Sequence, residues 1–361
     1  MITLIKIIVE SDVDMEKVKI GIVGAGNIAV SAHLPAYQIC ENAEVVAIAD
    51  IDYQRAKSVA EKFSIPQSFS SAEEMLDKAE MDAVDVCVWN NNHCDVTIAA
   101  ARAGKHILCE KPMAMNLEQA LLMQEEVKKT GVIFMLAVPG RFGNANMLVR
   151  ELYDKGELGE VYFAKTAYCR RRGTPTGWFT DKKTSGGGPI IDIGVHRIDA
   201  AWYLMGTPKP VRISAQISNR IGDYKTKGVS RWQGTSCPDN KFDTEDSGSG
   251  VIHFENGAIM LFEASWAING PEHSDTQLCG SRAGVVLEPL TVYGERNGYL
   301  STDNLTVSKN ENKFFNEITH FADCIQNNKQ PVYPIEQAVQ MQRILQGIYD
   351  SATLGKEIIL K

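Results

Sequence analysis

The first 137 residues alternate between two patterns of hydrophobic positions. Five short runs rich in β-branched residues are separated by segments with helical spacing; the runs are VKIGIVG, EVVAIAD, AVDVCVW, KHILCEKP and VIFMLAV. Short apolar runs bounded by helical segments are typical of buried parallel strands with crossover helices. The pattern therefore predicts an α/β domain with a parallel sheet over residues 17–137.

The pattern changes from residue 138 onward. After one more helical segment come strand-like runs at residues 160–169, 211–218, 248–254, 258–266, 276–280 and 284–293, and a last helical segment closes the chain. Asn256-Gly257 separates two of these runs, which is a strong hairpin signal. We predict an α+β domain with a mainly antiparallel sheet over residues 138–361. Two long stretches, 168–188 and 218–246, fit neither pattern, and such connections are usually functional or disordered.

Residues 189–206 predict a nearly apolar helix that carries one polar stripe. Pro189 suits the first helical position, and Gly206 suits a left-handed C-terminal cap. With about 100° per residue, four polar side chains fall on the same narrow stripe. They are Asp192, His196, Asp199 and Tyr203. The stripe faces either water or a site inside the protein, and Arg197 lies alone on the apolar side.

Length and charge narrow the functional class. A chain of 361 residues is expected to form two domains, and 44% hydrophobic with 23% charged residues is typical of a soluble globular protein. A net charge of −8 argues against a nucleic-acid partner and against an anionic membrane surface. The dense cationic run at residues 170–172 better suits a small polar or anionic ligand.

Cysteine usage and the N-terminus indicate a cytoplasmic protein. The eight cysteines form no C-x-x-C pair and show no zinc-ligand spacing with histidine, so no metal site is predicted. Buried free thiols such as Cys87 are expected instead. No export signal is expected, because the N-terminus carries neither a bilayer-length apolar run nor a cleavage site. Residues 1–16 are assigned to an N-terminal extension because Met15 directly precedes the first strand, and a misplaced start site is the alternative for the first 14 residues.

The segment IGIVGAGNIA carries the glycine pattern of a dinucleotide-binding turn. Gly24 permits the tight turn, Gly26 lets the backbone approach a pyrophosphate, and Ala29 permits close packing of helix on strand. Asp50 ends the next strand, where a carboxylate can accept hydrogen bonds from ribose hydroxyls and repel a 2′-phosphate. NAD is therefore favoured over NADP, although the cationic side chain of Arg55 favours NADP. Coincidental glycines in an ordinary strand–turn–helix are the alternative.

The first helix after this turn is expected to break. Pro35 lacks the backbone N–H that a continuous helix needs, so we predict an interruption between His33 and Pro35.

Three motifs in this order resemble the Gfo/Idh/MocA family of oxidoreductases, the glucose-fructose oxidoreductase and inositol dehydrogenase family. They are GxGxxA with Asp50, the segment from Asn90 to Pro112 that ends in KHILCEKP, and GGGxxxDxGxH from Gly186 to His196. The resemblance implies an N-terminal Rossmann domain and a C-terminal α/β domain with a large open antiparallel sheet. It also implies a homodimer or homotetramer formed through that sheet.

The resemblance also implies roles for individual residues. Lys111 corresponds to the lysine that contacts the reacting oxygen, and Asp192 and His196 to the carboxylate and imidazole of DxGxH. The Lys111-Pro112 bond is expected to be cis. Other implied or predicted cofactor contacts are Asn27, Ile28, Asn90, His93, Glu110 and Arg141, the last beside the nicotinamide. Trp89 departs from the family pattern, which often has proline before the asparagine.

These residue types suit the oxidation of a secondary hydroxyl of a sugar, inositol or related polyol with NAD. An imidazole such as His196 can take the hydroxyl proton, and a lysine can stabilise developing alkoxide charge. Asp192 can orient the ring of His196 or contact a substrate hydroxyl. Candidate substrate contacts in the long loop are Tyr168, Arg170, Trp178 and Lys182, while Asp199 and Tyr203 are expected to support the helix. The alternatives are an NAD-dependent non-redox glycoside hydrolase and a non-catalytic NAD-binding sensor.

Overall fold

The computed structural model describes residues 16–236, 241–308 and 312–360, so the predicted N-terminal extension lies almost wholly outside the described residues. The elements of the first part of the chain alternate between strand and helix. They are β1 (Val18–Val23), α1 (Leu34–Tyr37), β2 (Ala43–Ala49), α2 (Tyr53–Phe63), β3 (Gln67–Phe69), α3 (Ala72–Lys78), β4 (Ala83–Val86), α4 (His93–Arg102), β5 (His106–Glu110), α5 (Leu117–Thr130) and β6 (Phe134–Ala137).

The six strands form a parallel sheet in the order β3-β2-β1-β4-β5-β6, which confirms the predicted Rossmann domain. The carboxyl ends of β1, β2, β4 and β5 meet at one edge, and the strand order reverses between β1 and β4. Ligands of open α/β sheets bind in the crevice at such a reversal. The sheet therefore brings together the turn after β1, the end of β2 and the end of β5.

The second part of the chain forms a second sheet and the helices around it. Its elements are α6 (Asn144–Asp154), β7 (Val161–Cys169), α7 (Lys182–Ser185), α8 (Val195–Leu204), β8 (Pro210–Ser218), β9 (Ser247–Phe254), β10 (Ile259–Ser265), β11 (His273–Gly280), β12 (Gly284–Leu287), β13 (Leu290–Arg296), β14 (Tyr299–Asn304), α9 (Lys313–Gln326), α10 (Ile335–Leu354) and β15 (Ile358–Ile359).

These strands form a nine-stranded sheet in the order β14-β13-β12-β11-β7-β10-β9-β8-β15. Within the described strands only β7 and β10 run parallel, so the sheet is mainly antiparallel, as predicted. Helices α8 and α10 cover one face through buried residues such as Ile198, Trp202 and Ile344. The opposite face carries partly exposed apolar side chains, among them Val251 and Leu261.

Helix α9 packs against the hydrophobic core of the parallel sheet. Phe321 and Ala322 of α9 lie in the apolar cluster of the parallel sheet, although the sequence places them in the second domain. Helix α10 contributes Val339 to that cluster and Ile344 to the core of the nine-stranded sheet. The C-terminal helices therefore bind the two sheets together.

Several short elements differ from the sequence-based prediction. The run at residues 284–293 is two antiparallel strands, β12 and β13, rather than one. The prediction also omitted β3, β14, β15 and the 14-residue helix α9. A hairpin signal for β13 and β14 was present in Asn297-Gly298, where both residues have positive φ, as a type I′ turn requires.

One predicted irregularity of the backbone is confirmed, and two helices differ from the prediction. The predicted break between His33 and Pro35 does not occur: the backbone stays helical through His33 and Leu34, and the π-helical turn Ala29–His33 leads directly into α1, which has Pro35 in its first turn. Gly206 has a φ of 84°, the left-handed cap that was predicted. The polar helix is not regular, however, because Ile190–Gly194 is π-helical and only Val195–Leu204 is α-helical.

The described helices include none with an apolar stretch long enough to cross a bilayer. Seven of the eight cysteines are described, and each is a free thiol; the buried side chain of Cys87 agrees with the sequence-based expectation.

Candidate active site

The glycine-rich turn after β1 leaves an open space beside the backbone. Gly24 has a φ of 102°, and a Cβ there would lie 2.5 Å from the carbonyl oxygen of Cys87, so the turn requires glycine. A Cβ at Gly26 would meet no atom within 4 Å. With Asn27 and Ile28, Gly26 lines a cavity of about 360 Å³, which we call the first cleft.

Asp50, at the end of β2, is held in place by four hydrogen bonds. Its Oδ2 accepts from the backbone N–H of Ala25 at 2.8 Å, and its Oδ1 from that of Asp52 at 2.8 Å. Arg55 adds a bidentate pair, with Nε at 3.0 Å from Oδ2 and Nη2 at 2.5 Å from Oδ1. The structure thus pairs Asp50, which was expected to repel a 2′-phosphate, with Arg55, which was expected to favour one.

Asn90, His93 and Glu110 also line the first cleft, in agreement with the positions implied by the resemblance. The amide of Asn90 donates to the carbonyl of Ser185 at 2.7 Å. The ring of His93 lies between two backbone carbonyls, with Nδ1 at 2.7 Å from Pro112, and burial lowers its pKa. Both side chains therefore also hold the walls of the cleft together.

Lys111 lies where the first cleft meets a second one. The Lys111-Pro112 peptide bond is cis, as expected. Lys111 Nζ donates to the carbonyl oxygen of Asp192 at 2.8 Å and lies 3.4 Å from its Oδ1. The other carboxylate oxygen of Asp192 accepts from Trp266 Nε1 at 3.0 Å. The indole of Trp266 thus helps to hold the pair of Lys111 and Asp192 in place.

His196 lines the second cleft, a cavity of about 520 Å³ that shares Ile28, Glu110 and Lys111 with the first. Burial, followed by the positive charges of Lys111, Lys313, Arg197 and Arg170, lowers the pKa of His196 well below its ordinary value. The ring is therefore neutral at physiological pH and has a nitrogen lone pair to accept a proton.

Of the two roles left open for Asp192, a hydrogen bond that orients the ring of His196 is not formed. The π-helical turn at Ile190–Gly194 has a wider repeat than the regular helix assumed from the sequence. Asp192 consequently faces the first cleft, whereas His196 faces the second. In the described part of the chain, Asp192 bonds to Lys111 and Trp266 and has no bond to His196.

Arg141 does not reach either cleft, contrary to its expected place beside the nicotinamide. Its guanidinium is buried, donating to both carboxylate oxygens of Asp199 at 2.9 and 2.7 Å. It lies 4.5 Å from the ring centre of Tyr203 and 3.5 Å from that of Tyr333. Asp199 and Tyr203, the outer half of the predicted stripe, thus bind Arg141 and support the helix.

The two long loops meet over the first cleft. Thr176 donates its backbone N–H to Trp232 at 3.0 Å, and Trp178 donates to Thr235 at 3.2 Å. Trp178 also stacks on Trp89, with ring centres 5.7 Å apart and planes at 12°. The departure from the family pattern at position 89 therefore supplies an aromatic support for the loop.

The other candidate substrate contacts are distributed unevenly. Tyr168 lines the second cleft, and Arg170 donates to its hydroxyl at 3.2 Å without lining the cleft itself. Lys182 is exposed and lines neither cleft. Sequence reasoning missed several residues of the second cleft, which come from segments far apart in the chain: Asn146, Arg197, Ser274, Glu288 and Lys313. Only Arg197 had a sequence signal, as the one charge on an apolar face.

Two family models match the chain. Residues 18–138 match the model described as an oxidoreductase family with an NAD-binding Rossmann fold, and residues 147–286 match the GFO/IDH/MocA C-terminal domain. The chain belongs to the Gfo/Idh/MocA family of oxidoreductases.

Individual members of the family resemble the chain to different extents. It is 33% identical to D-glucoside 3-dehydrogenase of Escherichia coli (strain K12), over 95% of this chain and 97% of that protein. It is 36% identical to glucose-6-phosphate 3-dehydrogenase of Bacillus subtilis (strain 168), over 52% of this chain and 53% of that protein. The structure of levoglucosan dehydrogenase with NADH and L-sorbose shares the fold, with a TM-score of 0.82, 24% identity and coverage of 96% and 100%.

The first cleft fits NAD, the cofactor of this Gfo/Idh/MocA oxidoreductase. The space beside Gly26 can take a pyrophosphate against the start of the helical segment, where free backbone N–H groups favour an anion. Asp50 lies at the strand end where a ribose is recognised in Rossmann domains. Asn90 and Glu110 line the part of the cleft toward Lys111.

Proposed function

We propose that the protein oxidises a secondary hydroxyl group of a sugar, an inositol or a related polyol, with NAD as the acceptor. The observation that carries this proposal is the place of Lys111. It lies at the meeting point of the two clefts, one beginning at Gly26 and the other containing His196. A substrate carbon in the second cleft would be close to a group held in the first.

Each residue of the proposed site has a separate task. Bound NAD supplies the hydride acceptor. His196, neutral because its pKa is lowered, takes the proton of the reacting hydroxyl. Lys111 donates a hydrogen bond to the same oxygen and stabilises the negative charge that develops on it. Trp266 holds Asp192, and Asp192 in turn keeps the ammonium of Lys111 at the place where the two clefts meet.

The choice of substrate is supported by the chemistry of the second cleft and by the relatives. Asn146, Ser274 and Glu288 offer hydrogen bonds to hydroxyl groups, and Tyr168 offers an aromatic face for a sugar ring. The named relatives act on glucosides, glucose 6-phosphate and levoglucosan by their names. Glucosides are therefore the first compounds to test.

The experiment is an NAD-reduction screen over glucosides, free sugars, sugar acids, sugar phosphates and inositols. We expect NADH formation with at least one class, and Lys111→Ala to lower kcat about 100- to 1,000-fold while NADH still binds. His196→Ala should lower kcat as well. Full activity in both variants would refute the assignment of the site. NAD binding without NADH formation from any compound would refute the proposed reaction.

We also propose that the open face of the nine-stranded sheet joins subunits into a dimer or tetramer. Val251 and Leu261 lie on that face beside other apolar side chains, as a subunit interface requires. Light scattering after gel filtration should give a multiple of the 39.8 kDa chain mass. Leu261→Asp should shift it to one chain mass, and a monomeric wild-type protein would refute the proposal.

A further inference from the structure

His33 lies directly behind the glycine-rich turn and has no access to solvent. It ends the π-helical turn Ala29–His33, a type of irregularity that frequently occurs at functional sites. Its Nδ1 lies 2.7 Å from Oδ2 of Asp85, and its Nε2 lies 3.0 Å from Oε1 of Glu110. Each ring nitrogen therefore faces a carboxylate oxygen, from β4 on one side and β5 on the other.

Two ionised carboxylates beside one imidazole favour a second proton on the ring. A neutral imidazole has a single N–H, so only the imidazolium donates to both carboxylates and pairs with their negative charges. Burial alone lowers the pKa of His33, but Asp85 and Cys87 together raise it well above its ordinary value. His93 shows that two acceptor oxygens alone do not bring a second proton: its ring also lies between two oxygens, but these belong to uncharged carbonyls, and burial lowers its pKa.

Titratable side chains from four secondary-structure elements surround His33. The titratable groups that face it are Asp85 on β4, Cys87 just beyond β4, Glu110 on β5, Tyr37 on α1 and Glu317 on α9. Tyr37 donates to Asp85 at 3.2 Å, and Cys87 lies 3.4 Å from the other Asp85 oxygen. Asp85 thus lies at the far end of the chain of contacts, bonded to His33, Tyr37 and Cys87.

Glu110 links this buried chain to the candidate site. While Oε1 faces His33, Oε2 accepts the backbone N–H of Lys111 at 3.1 Å. Glu110 lines both clefts, next to the lysine. Burial alone would raise the pKa of Glu110, but His33 and Lys111 lower it. The contribution of His33 is larger than that of Lys111, so the loss of the His33 charge favours the protonated form of Glu110.

We propose that His33 is a positioning residue of the first cleft. It is a buried imidazolium between Asp85 and Glu110, and it keeps the Glu110 carboxylate as an anion where the two clefts meet. The proposal rests on the proposed function in one respect, that the first cleft receives NAD. Its consequence is that cofactor affinity depends on a residue that touches neither the cofactor nor the substrate.

The protonation of His33 can be measured in the full-length wild-type protein without any cofactor. The chain has seven histidines, and an ordinary histidine with a pKa near 6.5 is neutral at roughly pH 8.5. With ¹⁵N-labelled histidine, we expect one ring at that pH to carry protons on both nitrogens. Seven neutral rings would overturn the proposal.

Cofactor binding by variants supplies the second test. His33→Gln can donate to one of the two carboxylates only, so Glu110 should take up a proton near neutral pH. We expect the Kd for NADH, measured by fluorescence titration, to rise roughly tenfold at neutral pH and to recover as the pH is raised to 9, because Glu110 then ionises. Glu110→Gln should weaken binding without any such recovery.

The matched control is His320→Gln, a half-buried histidine that lines neither cleft. It should bind NADH as the wild-type protein does at every pH. A loss of affinity in His33→Gln that is the same at every pH would indicate a merely structural role and overturn the proposal, as would unchanged affinity. If wild-type protein does not bind NADH, the proposed function fails, whereas the NMR result still decides the charge of His33.

Discussion

The guanidinium of Arg141 and the carboxylate of Asp199 form a buried, bidentate ion pair between the loop after the parallel sheet and helix α8. Nε and Nη2 of Arg141 lie 2.9 and 2.7 Å from the two oxygens of Asp199. The aromatic rings of Tyr203 and Tyr333 pack against the guanidinium from α8 and from the segment before α10. This pair joins the turn that follows the parallel sheet to a helix that packs on the nine-stranded sheet.

The first prediction concerns the cost of breaking this pair. Asp199→Asn leaves a buried cation without its counter-ion, so we expect the free energy of unfolding to fall by about 3–5 kcal/mol. Urea denaturation monitored by tryptophan fluorescence measures it. Lys155→Met, which removes an exposed pair with Glu151, serves as the control and should change little.

NADH affinity of the folded Asp199→Asn variant separates the two views of Arg141. If Arg141 is structural, affinity stays at the wild-type value under conditions where the variant is folded. A weakened affinity would return Arg141 to the place beside the nicotinamide that the family resemblance implied.

The sequence predicted local features whose cause is local. The Asn256-Gly257 hairpin, the left-handed cap at Gly206 and the glycine turn depend on residues within a few positions of one another. The partners of Arg141 and His33 could not be found in this way, because they are 58 and 52 or more positions away. Pairing across such distances depends on how the sheet and helices pack.

The polar helix shows where the structure departs from the geometry assumed from the sequence. A regular helix would place Asp192 and His196 on one stripe, which left open a hydrogen bond between them. The π-helical turn at Ile190–Gly194 changes the direction of Asp192. Nothing in the pattern of hydrophobic residues distinguishes a π-helical turn from an α-helical one, so the two clefts were not foreseen.

The pH dependence of kcat/KM should show that burial and the neighbouring positive charges lower the pKa of His196. Since its pKa is lowered, the ring is in the proton-accepting form throughout the neutral range, and kcat/KM should fall only at a pH well below about 6.5. Lys313→Gln removes one of the cations that lower this pKa, so the acidic fall should move to higher pH.

Lys155→Gln, which changes an exposed lysine directly after α6, is the matched control for Lys313→Gln and should leave the profile in place. An acidic fall that does not move in Lys313→Gln would show that another group limits the reaction. A wild-type profile that falls at about pH 6.5 or above would contradict the lowered pKa of His196.

Asp50 and Arg55 should decide between the two nicotinamide cofactors. Asp50→Ser removes the carboxylate that repels a 2′-phosphate and frees Arg55, whose guanidinium it now holds. We expect the ratio of kcat/KM for NAD to that for NADP to fall about 10- to 100-fold. In the double variant Asp50→Ser/Arg55→Ala the gain with NADP should disappear; an equal gain without Arg55 would refute its role.

Glu317 of helix α9 should make the protein less stable as the pH rises. Its side chain is fully buried near His33, Glu110 and Asp85, and burial raises its pKa well above the ordinary value. In the unfolded chain a glutamate releases its proton at about pH 4.3, whereas the folded protein retains it to a higher pH. The stability that goes with the bound proton is complete below the unfolded pKa and is lost as the pH rises toward the folded one.

Glu317→Gln cannot ionise and should escape this loss. We expect its free energy of unfolding, relative to wild type, to increase by up to about 1.4 kcal/mol for each pH unit above 4.3, until the folded pKa is reached. Glu126→Gln is the opposite control, because Arg102 lowers the pKa of Glu126 and the variant loses that ion pair. Urea denaturation of all three proteins from pH 5 to 8 compares the slopes. A relative stability of Glu317→Gln that is constant over this range would show that Glu317 is ionised in the folded protein, so that α9 buries a charge rather than a neutral acid.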